Sequence, residues 1–139
     1  LRGTAAAGPW RRLDRASTVL AGLADRLTGP AGTAALEAAV AERSLRDLCA
    51  RVASVQRALA LAPEETRAGL AAAHRNLTAQ LDGGVAAYER LVAAAAGYVA
   101  EEGWEDHGHG AVSRLAEAAH LLRGVATDLA ELRRTGAPG

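Results

Sequence analysis

A histidine, a cation and a glycine lie close together near the carboxyl end of the sequence, where they could carry phosphoryl chemistry. His120 precedes Arg123 and Gly124 in the stretch AAHLLRGVATDLAEL, residues 118–132. An exposed imidazole can accept a phosphoryl group, a nearby cation can stabilise its charge, and a small residue one turn later leaves room for a partner protein. His120 is therefore a candidate phosphoacceptor.

The same stretch resembles the local pattern of histidine phosphotransfer domains, in which a histidine preceded by alanine is followed by leucine, a basic residue and glycine. The matching positions are Ala119, His120, Leu122, Arg123 and Gly124. The resemblance implies a signalling bundle that exchanges a phosphoryl group with a response regulator. In that family further bundle helices follow the histidine helix, whereas few residues follow His120. We therefore favour the alternative, in which His120 is a polar residue beside the packing seam.

A second group of side chains has the types that bind divalent metals. The stretch EEGWEDHGHG contains Glu101, Glu102, Glu105, Asp106, His107 and His109. Imidazole and carboxylate are common metal ligands, but a His-x-His pair among glycines has no fixed geometry. We predict a solvated loop over residues 101–110 with no metal. Trp104, like Trp10, is predicted to anchor an end of the fold.

The other residues of reactive type, Cys49 and His74, are predicted to have structural roles and no catalytic role. Cys49, the single cysteine, lies within a helical pattern that predicts a small buried side chain. His74 falls on a packing seam, where a polar residue can define helix register. The sequence contains no GxxxxGK[ST], GxGxxG, HExxH or GxSxG motif. We predict a protein that is not an enzyme, with no catalytic residue and no cofactor.

The composition favours close-packed helices. Hydrophobic residues make up 50% of the chain but aromatic residues only 3%, so the apolar mass is alanine, leucine and valine. All 16 basic residues are arginine, a bias typical of GC-rich bacterial genomes, and 16 acidic residues balance them. Zero net charge gives no support to nucleic-acid binding. No stretch reaches the roughly 20 apolar residues that a membrane span needs.

The sequence predicts an all-α fold, an antiparallel four-helix bundle, in a single domain over residues 1–139. Glycine- and proline-rich breakers separate four segments with helical periodicity, at about residues 9–28, 33–61, 63–101 and 111–134. Thr33 is a candidate N-cap for the second helix. Because the chain begins at Leu1 without an initiating methionine, we expect it to be a fragment of a longer protein.

The two central helices are predicted to form a long coiled-coil hairpin. The third segment keeps a heptad spacing at Leu70, His74, Leu77, Leu81, Gly84, Tyr88, Leu91, Ala95 and Tyr98. Gly83 and Gly84 interrupt it and predict either a kink or a close helix crossing. Alanine in many seam positions buries little area, which favours a partner or self-association.

Three segments are similar to the cytoplasmic C-terminal region of a membrane-bound protein of the actinobacterial phage-shock response, the M component that accompanies phage-shock protein A. They are AGPWRRLDRA, ERSLRDLCARVASVQRALALAPEETRAGL and LDGGVAAYERLVAAAAGYVAE. The shared features are alanine, leucine and arginine heptads, a Pro-Glu-Glu helix start and the stretch around Tyr88. They are packing features, so the resemblance implies no catalytic residue.

The resemblance implies upstream membrane spans and a helical bundle on the cytoplasmic side of the cell membrane that holds a phage-shock coiled-coil protein there. The charge of the first helix agrees with a position near the membrane. Its basic residues outnumber its acidic residues and could contact anionic lipid; they are Arg2, Arg11, Arg12, Arg15 and Arg26. An ordinary solvated helix face remains the other interpretation. We expect a non-enzymatic envelope-stress interaction domain; the alternatives are a phosphotransfer-like bundle using His120 and a structural coiled coil of unknown pathway.

Overall fold

The structure, a computed structural model, describes residues 1–101 and 105–136, with side chains described in 1–101 and 110–135. Four helices make up the described chain: α1, Ala7–Leu23; α2, Gly32–Leu61; α3, Glu64–Ala100; and α4, Glu105–Gly136. Two short 3-10 turns, Ala24–Arg26 and Gly29–Ala31, join α1 to α2. No strand occurs in these residues, so the fold is an all-α helical bundle as predicted.

Consecutive helices run in opposite directions. The α2–α3 hairpin forms the centre, and α1 and α4 each pack against both of its helices. Hydrogen bonds define the register on one side, where Ser17 of α1 lies beside Glu42 of α2 and Ala5 beside Gln56. On the other side Arg123 and Arg133 of α4 pair with Glu37 and Asp47 of α2, so α4 runs parallel to α2 and antiparallel to α3. The predicted antiparallel order is therefore confirmed.

Both ends of the first helix and the start of the second differ from the prediction, and α1 begins at Ala7 rather than at Pro9. The helix predicted over residues 9–28 is α-helical only to Leu23, because Leu27 leaves the helical path and is buried, at 5% exposure. Gly29 then turns the chain with a φ of +60°. Thr33 is not an N-cap, because the 3-10 turn at Gly29–Ala31 passes directly into α2 and the cap is Ala31.

The fourth helix begins at Glu105 and not near residue 111, so the predicted loop over residues 101–110 is helical from Glu105 onward. The prediction gave too much weight to Gly108 and Gly110. A helix can continue through a glycine at a cost of about 1 kcal/mol, and acidic residues in a first turn interact favourably with the helix dipole. The predicted bounds of the two central helices agree with the structure to within one residue.

The core follows the predicted seams. Fully buried large side chains come from all four helices: Leu13, Leu45, Leu48, Leu81, Tyr88, Leu91 and Leu122. Helix α3 is unbroken through Gly83 and Gly84, so that pair marks a close crossing and not a helix end. A Cβ atom at Gly84 would lie 2.5 Å from Cδ2 of Leu45. The absence of a side chain there lets α2 and α3 approach.

The turn of the hairpin projects beyond the rest of the bundle. The segment that leads into α1 reaches the hairpin at Gln56, which contacts both Ala5 and His74, and the last described turn of α4 lies beside Gln80. Residues 57–73, called here the hairpin end, extend past both. Within it only Ala62 is buried, and Leu61 is 86% exposed. The described part of the chain holds no helix with the length and apolar character needed to cross a membrane.

Candidate interaction surface

His120 lies on the outer face of α4 and is exposed, as the phosphoacceptor hypothesis requires. It lines a shallow depression together with Arg90 of α3 and Arg114 of α4. The cation of the sequence motif, Arg123, points elsewhere, because its Nε donates a 2.8 Å hydrogen bond to Glu37. Gly124 is exposed, with no atom within 4 Å of the position a Cβ would take.

The proposed metal ligands divide into described and undescribed residues. The side chains of Glu102, Glu105, Asp106, His107 and His109, like Trp104, lie outside the described residues. Glu101 is described and accepts a hydrogen bond from Arg114 at 3.2 Å. Where side chains are described, no group of three or more His, Cys, Asp or Glu residues is placed to hold a metal ion.

Cys49 is fully buried, as its helical setting predicts. Burial raises the pKa of its thiol from 9.0 to about 11, because the thiolate loses its hydration. A thiol with this pKa is almost entirely protonated at neutral pH. Cys49 is therefore a small core residue rather than a nucleophile.

His74 lies on the seam, half-buried, where it helps to hold the beginning of the chain. Its Nε2 lies 3.2 Å from Oε1 of Gln56 on α2, and the same oxygen accepts a 2.8 Å hydrogen bond from the backbone of Ala5. These contacts join three parts of the chain at the level where the hairpin end begins.

A polar cluster between α1, α2 and α3 is the main feature that sequence analysis missed. Glu42 is its centre and accepts hydrogen bonds from Ser17 at 2.9 Å, Arg46 at 3.0 Å and Tyr88 at 3.2 Å. Arg46 also pairs with Asp14 at 2.8 Å. The Glu42 and Arg46 side chains are each 26% exposed, so these bonds are partly shielded from water.

Two aromatic side chains complete this cluster. The guanidinium carbon of Arg46 lies 4.5 Å from the ring centroid of Trp10, a cation–π contact. Burial, and then the negative charge of Glu42, raise the pKa of Tyr88 to about 12. The only sequence signal for the cluster is the i, i+4 spacing of Glu42 and Arg46. The cluster stabilises helix positions and presents no open site.

The other side of the hairpin carries an open groove of about 630 Å³ between α3 and α4. It is lined by Gln80, Gly83 and Gly84 of α3 and by one face of α4 between Val125 and Thr135. This α3–α4 groove lies where α4 ends and the hairpin end continues. The groove and the hairpin end therefore lie beside one another.

Comparison with known proteins gives one family. The model of the Rv2743c family matches residues 1–132, which is nearly the whole chain. No curated protein and no solved structure shows significant similarity to it.

Proposed function

The chain belongs to the Rv2743c family, and we propose that it is a non-enzymatic helical interaction domain that binds a helical partner protein. The observation that carries this proposal is the hairpin end, residues 57–73, where two helices project past α1 and α4 with only Ala62 buried. Leu61 is 86% exposed there, while Leu59 and Leu70 are partly exposed. A third helix packing on this end would bury apolar area that the bundle leaves in water.

We propose that the partner is a phage-shock coiled-coil protein and that the domain acts on the cytoplasmic side of the cell membrane in envelope stress. The support is the resemblance of three segments. One of them spans residues 42–70 and so includes most of the hairpin end. The resemblance therefore falls on the element that is most available for binding.

An anionic membrane surface is a further proposed contact. Arg12 forms ion pairs within the bundle, with Asp82 and Glu89 of α3. Arg2, Arg11 and Arg15 are exposed and have no acidic partner among the residues that the structure describes. These three cations could face anionic lipid, where each basic residue contributes about 1 kcal/mol near the surface.

The test measures binding between the full-length protein, with any upstream segment, and the purified phage-shock coiled-coil protein. Leu61→Asp changes an exposed side chain of the hairpin end, and Leu36→Asp is its control, because Leu36 is 71% exposed on α2 away from that end. We expect Leu61→Asp to weaken binding by about tenfold or more and Leu36→Asp to leave it near the wild-type value. The proposal fails if the wild-type protein does not bind, or if both variants bind equally well.

A second candidate function is phosphoryl acceptance, because His120 is exposed in the depression that it shares with Arg90 and Arg114. His120→Gln separates the two functions. It should leave binding of the coiled-coil partner unchanged under the first proposal and abolish phosphorylation under the second. The readout is phosphorus NMR of the protein incubated with phosphoramidate. A phosphohistidine signal that the variant lacks would favour the second function.

A further inference from the structure

The α3–α4 groove is lined by a glycine that packing within the bundle does not need. Gly83 lies in the middle of α3, where glycine costs about 1 kcal/mol relative to alanine. A Cβ at Gly83 would meet no atom within 4 Å, in contrast to the crowded position at Gly84. Packing within the chain therefore requires a glycine at Gly84 but not at Gly83. The effect of Gly83 is to leave open space next to α4.

The groove has an apolar floor and an acidic rim. Val125 and Leu132 are partly exposed in it, beside the buried Leu129. Asp128 and Glu131 are its only charged lining residues. Asp128 has no ion-pair partner among the described side chains, and the nearest nitrogen of Arg134 lies 3.9 Å from Glu131. Glu131 is thus paired with Arg134, and the unpaired negative charge on the rim is that of Asp128.

The groove is long enough for a helix. The lining residues of α4 extend from Val125 to Thr135, which is about 15 Å of helix axis. The α3 side, from Gln80 to Gly84, covers about 6 Å of this length. The α4 side accommodates two turns of a docked helix, and hence apolar anchors at positions i, i+3 or i+4, and i+7. Cations on the flanks of such a helix would come close to Asp128 and Glu131, where opposite charges favour correct docking.

We propose that the α3–α4 groove binds an amphipathic helix of the partner protein that carries an apolar stripe flanked by lysine or arginine. The proposal rests on the interaction function above and adds the chemistry of the segment that binds. A helix seated in the groove would reach the hairpin end, because the last described turn of α4 lies next to that end. The partner would then contact both surfaces with one continuous helix.

The test uses two synthetic amidated peptides with the same leucine stripe, one with lysine and one with glutamate at the polar positions. Each is titrated into the full chain and followed by amide NMR. We expect the lysine peptide to shift the resonances of Gly83, Gly84 and residues 125–135. Gly83→Gln, which fills the groove, and Asp128→Lys, which reverses the rim charge, should each weaken binding about tenfold.

Matched controls keep the test specific. Gly124→Gln adds the same side chain at another exposed helical glycine with open space around it, and Glu117→Lys reverses another exposed acid of α4. Both should bind the lysine peptide as the wild type does. Equal binding of the glutamate peptide, shifts spread over the other helices, or equal losses in the controls would overturn the groove proposal. Failure of the coiled-coil protein to bind would instead overturn the proposed function, which the peptide titration does not depend on.

Discussion

The two sides of the central hairpin hold their outer helices by different means. Helix α1 is joined to the hairpin by the partly buried cluster around Glu42 and by the ion pairs of Arg12. Helix α4 is joined by apolar packing of Leu115, Leu122 and Leu129. The ion pairs described for it use arginines whose side chains are more than half exposed. The α3–α4 groove lies on this second side.

The difference indicates which side can adjust to a partner. Hydrogen bonds depend on direction and distance, so a helix held by a shielded polar cluster has one preferred position. Apolar contacts are non-directional, and alanine-rich packing contributes little energy per residue. We therefore infer that the polar cluster fixes the position of α1, and we propose that the α3–α4 groove and the hairpin end form the binding side.

Replacing the arginine on each side should show the largest difference. Arg46→Met removes the bonds to Glu42 and Asp14 and leaves the partly buried carboxylate of Glu42 without its cationic partner. We therefore expect a loss of about 1.5–3 kcal/mol in the free energy of unfolding. Arg123→Met removes an ion pair in which the arginine side chain is 54% exposed, and its cost should be below about 1 kcal/mol. Urea unfolding measures both. Equal losses would contradict the comparison.

The two adjacent glycines offer a sharper contrast on the α4 side. Gly84→Ala places a Cβ against fully buried Leu45 and within 3.3 Å of Val125, so we expect a loss of about 1–3 kcal/mol. In Gly83→Ala the new Cβ meets no atom within 4 Å. This substitution should raise stability by about 0.5–1 kcal/mol, because alanine has a higher helix propensity than glycine. Thermal unfolding followed by circular dichroism gives the sign of each change. A loss of stability in Gly83→Ala would show that this position is packed after all.

A further prediction is a loss of stability at alkaline pH. Burial raises the pKa of Cys49 from 9.0 to about 11 and that of Tyr88 from 10.0 to about 12. The unfolded chain releases these protons first. The contribution of both groups to stability is therefore complete below pH 9 and falls as pH rises through the two folded-state pKa values. In urea unfolding between pH 8 and 11, the double variant Cys49→Ala, Tyr88→Phe should lose less stability than the wild type, and an identical slope would refute the assignment.

Much of the fold follows from the sequence because it depends on local periodicity. The spacing of Leu115, Leu122 and Leu129, or of Leu77, Leu81 and Leu91, defines one buried stripe whatever the partner helix is. The predicted bounds of α2 and α3 lie within one residue of the observed ones for the same reason. The end of α1 was wrong because Leu27 is buried by contacts with residues distant in sequence, which no local pattern contains.

The polar cluster and the groove could not be predicted, because both depend on how helices are rotated and shifted along one another. Glu42 meets Ser17 and Tyr88 only at the observed register of three helices. Gly83 and Gly84 look equivalent in the sequence, yet Gly84 faces Leu45 while Gly83 faces open space. The candidate site in the sequence, His120, was found through a short motif, and its phosphoryl chemistry remains a hypothesis.

Hydrogen exchange measured with and without the phage-shock coiled-coil protein, in the absence of lipid, tests the account most directly. In the free protein, amides of α1 should exchange more slowly than those of residues 57–73 and 125–135. On binding, protection should increase in residues 57–83 and 125–135 and stay unchanged in α1. Protection that increases in α1 and leaves the hairpin end and the groove unchanged would contradict the assignment of the binding side.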